Sequence, residues 1–159
     1  MKRLLIITLL ACLALPVQAF ATWTLTPSVV SIAGNYMKWK VVCTSDGAGL
    51  TATNLLALDG MTDQLLREIQ GETVMLLKVS PGTGGVIPDN TINITLTDGE
   101  DDALWTETTI SKDAVTWHDM SDDIGAYIPI FNELNLTLND IGTTGDQVTL
   151  YFIMWREVY

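Results

Sequence analysis

Apolar and polar residues alternate at a period of two along much of this chain, and this pattern restricts its fold more than any other feature. Segment 36–44 places four apolar side chains on one face of an extended strand: Met37, Trp39, Val41 and Cys43. Successive side chains of a strand point to opposite sides, so such a segment has one buried and one solvent-facing side. The pattern predicts β-strands rather than amphipathic helices.

Further segments are also predicted to be strands, rich in the β-branched and aromatic residues typical of sheets: 23–26, 74–80, 92–97, 134–138 and 148–155. The first is followed by Pro27, which indicates an edge strand or a bend. Segment 74–80 is almost continuously apolar, which predicts burial on both of its faces. In 92–97 and 134–138, Ile and Leu alternate with Asn and Thr, so the apolar side chains should point inward.

Glycine-rich turns separate these strands, at 45–49, 81–85, 98–99 and 142–146. One exception is segment 61–69, where Leu65, Leu66 and Ile69 lie at helical spacing and Thr62 is suited to cap the first turn. Many short strands with tight turns are typical of β-sandwiches. We therefore predict an all-β fold, an antiparallel, jelly-roll-like sandwich with one short helix.

Residues 1–21 have the features of an export signal. Lys2 and Arg3 precede an apolar run that ends at Pro16, and Ala19 and Ala21 provide a small-x-small cleavage site. The run is shorter than the roughly 20 residues that span a bilayer, which argues against a stable membrane anchor. Alternative outcomes are lipidation at Cys12 or retention of the segment as a hydrophobic N-terminal arm. The chain is expected to be exported, to the periplasm, the cell surface or the medium.

The remaining residues, 22–159, have the usual length of one domain, and we predict a single β-sandwich there. Without Lys2 and Arg3, six of the eight basic residues remain against 19 acidic ones. So negative a domain is repelled by nucleic acids and by anionic membrane surfaces, which excludes both as partners. Cys43 is the one cysteine of this part of the chain, so no internal disulfide can form, and we expect its side chain to be buried.

Acidic residues are densest at Asp98, Glu100, Asp101 and Asp102, four carboxylates within five residues. Calcium prefers several oxygen ligands from such a loop, so a Ca²⁺ site is one hypothesis. The spacing does not match an EF-hand, and a solvated acidic loop is the alternative that we favour. The acidic stretch 121–123 could join the cluster only if the fold brings the two loops together.

Catalytic chemistry has little support in the sequence. His118 is the single histidine, and its neighbours Asp119 and Ser121 would not converge on it in an extended segment. We therefore predict that the protein is not an enzyme. Two tryptophans, Trp105 and Trp117, flank a polar stretch and are candidates for an exposed platform that binds a glycan, whereas Trp39 and Trp155 lie in apolar strands and should belong to the core.

The order of strands and turns in the C-terminal half resembles that of small all-β structural proteins of tailed bacteriophages. The similar segments are 78–82, 88–90, 92–98, 134–138 and 148–152. The resemblance covers about half of the domain and implies a role in a virion, as a head decoration or cement subunit or as a tail-associated protein. It brings no catalytic residues, and an export signal is not expected in that family.

Two functional hypotheses follow. In the first, the domain is a non-enzymatic structural subunit that forms oligomers with itself or with other virion or surface proteins through its β edges and apolar arm. In the second, it is a secreted bacterial module that binds a glycan or calcium through exposed tryptophans and acidic loops. We favour the first, because convergent clusters of polar side chains are scarce in the sequence.

Overall fold

The computed structural model describes residues 23–33, 36–70, 73–83, 86–120, 128–130 and 133–155. The predicted leader, its lipidation site Cys12 and the acidic stretch 121–123 lie outside these residues. Ten strands are described: β1 Thr24–Ala33, β2 Tyr36–Thr44, β3 Leu50–Asn54, β4 Thr73–Pro81, β5 Ile92–Thr97, β6 Ala103–Ile110, β7 Thr116–Asp119, β8 Ile128–Pro129, β9 Asn135–Leu138 and β10 Gln147–Trp155. A 3₁₀ turn (Leu55–Ala57) and a helix, α1 (Asp63–Ile69), lie between β3 and β4.

The strands form two antiparallel sheets. A six-stranded sheet has the order β1-β2-β10-β4-β7, and β8 pairs with β4 beside β7. A four-stranded sheet has the order β3-β9-β5-β6. The buried residues of both sheets belong to one hydrophobic core. The predicted all-β sandwich with one short helix is therefore confirmed.

The core forms as the alternation predicts. In β2, Met37, Trp39, Val41 and Cys43 are all buried, and the residues between them face outward. The same holds for the apolar residues of β5 and β9. At the centre, the rings of Trp39 and Phe152 stack with their centroids 4.9 Å apart. The prediction that Trp39 is a core residue is thus confirmed, whereas the side chain of Trp155 lies outside the described part of the structure.

Two strand predictions need correction. Strand β4 is buried on one face and not on both, because Leu76 is 36% exposed while Leu77 and Val79 on either side of Lys78 are fully buried. Its apolar residues run together because Met75 has no partner in the pairing with β10, a bulge that shifts the alternation by one residue. Strand β1 is an edge strand, as Pro27 indicated, but it extends beyond the predicted segment 23–26 to Ala33, and the edge position tolerates the missing N–H group of Pro27.

The short helix begins where the sequence indicates. The Oγ1 atom of Thr62 accepts a hydrogen bond of 3.2 Å from the backbone N–H of Leu65, which satisfies one of the unpaired donors of the first turn. Leu65 and Ile69 are buried and attach the helix to the core. No helix among the described residues combines the length and the apolar character that crossing a membrane requires.

Cys43 is unpaired and fully buried, as predicted. Burial disfavours the thiolate and so raises the pKa of the Cys43 thiol far above its ordinary value. Because the thiolate is the reactive form, this cysteine is chemically inert in the folded protein.

The central position of Phe152 gives a stability prediction. Replacing it with alanine removes the ring that stacks on Trp39, and the resulting cavity should lower the free energy of unfolding by about 3–5 kcal/mol. Thr149→Ala, on the outward side of the same strand, should cost about 0.5 kcal/mol or less. Urea denaturation of both variants measures the difference, and similar midpoints would contradict the described orientation of β10.

Candidate functional site

The outer surface of the six-stranded sheet carries a row of lysine and aromatic side chains from four neighbouring strands. Tyr151 of β10 lies opposite Lys40 of β2 on one side and opposite Lys78 of β4 on the other. Lys78 in turn lies opposite Trp117 of β7. Together with Lys38 of β2, these residues form what we term the lysine–aromatic face.

Lysine ammonium groups lie against the aromatic rings within this face. The Nζ atom of Lys38 is 4.5 Å from the centroid of the Tyr151 ring. The Nζ atom of Lys78 is 4.9 Å from Tyr151 and 5.3 Å from Trp117. Each such cation–π contact contributes about 0.5–1 kcal/mol at an exposed site. The contacts favour the positions of Lys38 and Lys78 over the rings, and both lysines remain partly accessible to solvent.

Exposed apolar side chains concentrate on the same surface. Leu76 and Trp117 are outward-facing residues of β4 and β7, Tyr36 begins β2, and Trp117 is 58% exposed. Ile87 and Val115 line a shallow pocket of about 220 Å³ at the end of the face, next to Pro81 of β4. Several exposed apolar side chains on one sheet face make this face a candidate contact site.

The outer face of the four-stranded sheet has a different character. Its outward residues on β5, β6 and β9 are mostly threonines and asparagines: Asn93, Thr95, Thr97, Thr106, Thr108, Asn135 and Thr137. Several of these side chains bind the sheet's own backbone, as when Asn93 Oδ1 accepts the N–H of Thr109 at 2.8 Å. The outer face of the four-stranded sheet is therefore polar and suited to contact with water. Exposed apolar and lysine side chains lie on the outer face of the other sheet, so the lysine–aromatic face is the candidate site.

The acidic cluster forms the turn between β5 and β6, which we term the acidic turn (residues 98–102). Asp98 Oδ1 accepts backbone N–H groups from Glu100 at 2.9 Å and Asp102 at 3.0 Å, so its carboxylate stabilises the turn. Glu100, Asp101 and Asp102 are exposed. Among the residues that the structure describes, no three His, Cys, Asp or Glu side chains are grouped to hold a metal ion.

The two candidate tryptophans differ in their surroundings. The expectation of an exposed contact at Trp105 is wrong, because this residue is 2% exposed and its side chain points from β6 into the core. Its ring packs edge-on against His118, with the centroids 5.5 Å apart. Trp117 has the exposure expected of a contact residue, since it lies on the outward side of β7, and its binding role stays a prediction.

His118 has partners that the sequence did not indicate. Its Nε2 lies 2.9 Å from Thr116 Oγ1, two residues earlier on the same face of β7, and its Nδ1 lies 3.5 Å from Glu107 Oε2 of β6. The order hydroxyl, imidazole, carboxylate is that of a catalytic triad. The contacts join β6, at the edge of the four-stranded sheet, to β7, at the edge of the six-stranded sheet, where the chain passes from one to the other. The position of His118 at the junction of the two sheets accounts for its contacts with Thr116 and Glu107.

A second surface feature is a groove of about 540 Å³ at the opposite side of the sandwich, between β1 and β3. Trp23, Leu25, Leu50 and Leu58 supply its apolar lining, and Asp46 and Asp59 lie at its border. Trp23 Nε1 donates a hydrogen bond of 2.9 Å to the carbonyl of Ala48, which ties the start of β1 to the turn after β2. The groove separates the two edge strands, and it contains no convergent set of catalytic groups.

Comparison with known proteins gives no relative: no family model matches the chain, and no curated protein or solved structure matches it either.

The different exposure of the two tryptophans can be measured by fluorescence. Trp117→Phe should remove a large part of the emission that acrylamide quenches readily, because its indole is in contact with solvent. Trp105→Phe should leave the quenchable fraction almost unchanged. If the two variants lost the same quenchable fraction, the orientations of β6 and β7 described above would be wrong.

Calcium titration tests the acidic turn. A ligand at a hundred times its Kd stabilises the native state by about 2.7 kcal/mol, which raises the Tm of a domain of this size by several degrees. Because the Asp98 carboxylate is committed to its own turn, we expect millimolar CaCl₂ to shift the Tm no more than the same ionic strength of NaCl. A saturable, calcium-specific rise in Tm would support the calcium site instead.

Proposed function

We propose that the chain is a non-enzymatic assembly subunit, which associates with copies of itself or with other structural proteins through the outer face of its six-stranded sheet. The observation that carries this proposal is the concentration of Tyr36, Leu76 and Trp117, all exposed, on one sheet face. Burying such a surface against a protein partner removes apolar area from water, which drives association.

The edges formed by β1 and β6 are less suited to association than this face. Pro27 offers no N–H group to an added strand on the β1 edge, and the pairing of β1 with β2 is bulged between Val29 and Ser31. The β6 edge is also bulged, with Thr109 at a φ of 60°. Prolines and bulges are the features by which natural sheets prevent edge-to-edge pairing. We therefore assign the main contact to the face rather than to the β1 and β6 edges.

The assembly to which the subunit belongs is proposed from the sequence. The order of strands and turns after Lys78 supports a virion protein of the decoration, cement or tail-associated kind, and the leader supports export to the periplasm, the cell surface or the medium. In either setting the subunit acts through its surfaces and needs no cofactor.

A glycan-binding module is the second candidate, and the exposed ring of Trp117 is the observation that favours it. Aromatic rings at a sheet surface stack on the apolar face of sugar rings, and Tyr151 lies two strands away on the same surface. The calcium-binding variant of this hypothesis relies on the acidic turn alone and has less support.

Self-association can be tested by sedimentation velocity over a wide concentration range. We expect residues 22–159 to form defined oligomers, and Leu76→Ser with Trp117→Ser to shift the sedimentation coefficient to that of a monomer. Thr95→Ser with Thr137→Ser, on the opposite face, is the matched control and should assemble as the parent protein does.

A parent protein that stays monomeric at every concentration would contradict the assembly proposal. Binding of a polysaccharide by that monomer, lost in Trp117→Ser, would then support the glycan module.

A further inference from the structure

We propose that the lysine–aromatic face binds the acidic turn of a second copy of this chain, in a head-to-tail contact. The inference deepens the proposed self-association and rests on it. It names the partner surface on the neighbouring molecule and makes the contact one between unlike patches.

The distribution of charge is the first argument. Residues 22–159 carry six basic residues against 19 acidic ones, and three of the six lie on one sheet face: Lys38, Lys40 and Lys78. Among the described outward positions of β1, β2, β4, β7 and β10, Asp119 is the one acidic residue. A positive surface on so acidic a protein is complementary to the rest of the molecule, which makes another copy a suitable partner.

The acidic turn is the best match for that surface. Glu100, Asp101 and Asp102 are exposed together at the tip of the β5–β6 hairpin. Glu133 adds a further carboxylate at this site, because its side chain packs over Gly99. A Cβ atom added to Gly99 would lie only 2.9 Å from Glu133 Oε2. No other segment of the described chain brings as many carboxylates into one short turn.

The turn is held in a defined shape before any partner binds. In addition to the bonds to Asp98 Oδ1, the backbone N–H of Asp98 donates to the carbonyl of Asp102 at 3.1 Å, and Asn135 Nδ2 donates to the carbonyl of Asp98 at 2.8 Å. Ordering a flexible loop on binding costs free energy, and a preformed loop avoids this cost. On the lysine–aromatic face, Lys38 and Lys78 are likewise positioned by their contacts with Tyr151 and Trp117.

The contact joins two unlike patches, and these lie on different sheets of the molecule. The lysine–aromatic face belongs to the six-stranded sheet, and the acidic turn joins two strands of the four-stranded sheet. Each molecule would therefore offer one of each surface to its neighbours. Contacts between unlike patches produce rings when the rotation closes and open filaments when it does not.

The test uses charge exchange between the two surfaces. The face variant is Lys38→Glu with Lys78→Glu. The turn variant is Glu100→Lys with Asp102→Lys and Asp101→Asn, where asparagine is chosen because residue 101 has a φ of 64° and Asn tolerates that conformation. Far-UV circular dichroism and the Tm establish that both variants fold.

Each variant alone should self-associate with an apparent Kd raised by about tenfold or more, because like charges then meet at the contact. An equimolar mixture should assemble again, since the reversed face fits the reversed turn. Higher salt should weaken assembly of the parent protein, because exposed charges are screened within about 8 Å at 0.15 M. Arg67→Glu, on helix α1 and outside the face, is the control for a charge reversal elsewhere on the molecule and should assemble as the parent protein does.

The outcomes separate the two proposals. If the parent protein is monomeric, the assembly function itself is wrong. If the parent protein assembles and both variants assemble equally well, the assembly function stands and the head-to-tail contact is overturned. The contact is also overturned if the face variant fails to assemble while the turn variant behaves as the parent protein, because the face would then bind another part of the neighbouring molecule.

Discussion

The C-terminal strand β10 is the element on which the rest of the structure depends. It lies between β2 and β4 and pairs with each over most of its length, so within the six-stranded sheet it joins the β1–β2 hairpin to β4 and its neighbours. Its inward residues, Val148, Leu150, Phe152 and Met154, are all fully buried. Because a strand alternates strictly, burying these four residues fixes Tyr151 on the outside, between the lysines of its two neighbours. The register of β10 with its two neighbours therefore determines both which of its residues lie in the core and which contribute to the candidate site.

Much of the fold could be predicted from the sequence, because the burial of one face of a strand or helix appears as a regular spacing of apolar residues within a short segment. Strands β2, β5, β9 and β10 and helix α1 all have such a pattern, and all lie close to their predicted positions. The strands without a prediction lack this signal. In β6, Thr106, Thr108 and Thr109 are exposed and only Trp105 and Ile110 are buried, since this edge strand contacts the core at its two ends. In β7 the apolar residue Trp117 is exposed while the polar residues Thr116 and His118 are partly buried, so apolar character does not follow burial, and β8 has only two residues.

The candidate site was less predictable, because it is made by pairing between distant segments. The sequence places Lys38 and Lys40 outward on β2 but does not reveal that Tyr151 lies beside them, more than a hundred residues later. Trp105 and Trp117 appear equivalent in a polar stretch, and their opposite exposure depends on which side of each edge strand meets the core. The contact of His118 with Glu107 likewise arises where two sheets meet, which single-strand patterns do not describe.

The separation of charge has a further consequence for how such a domain avoids disorderly aggregation. It has no internal disulfide, and a sheet face with exposed Leu76 and Trp117 would by itself associate with any apolar surface. In the proposed assembly, the lysines among the aromatic rings would keep that face soluble while it is free, and the excess of acidic residues elsewhere would make most encounters between molecules repulsive. Attraction would then require that one molecule present carboxylates to the lysines of another. Apolar burial would supply the strength of the contact, and electrostatics would decide which orientation is allowed.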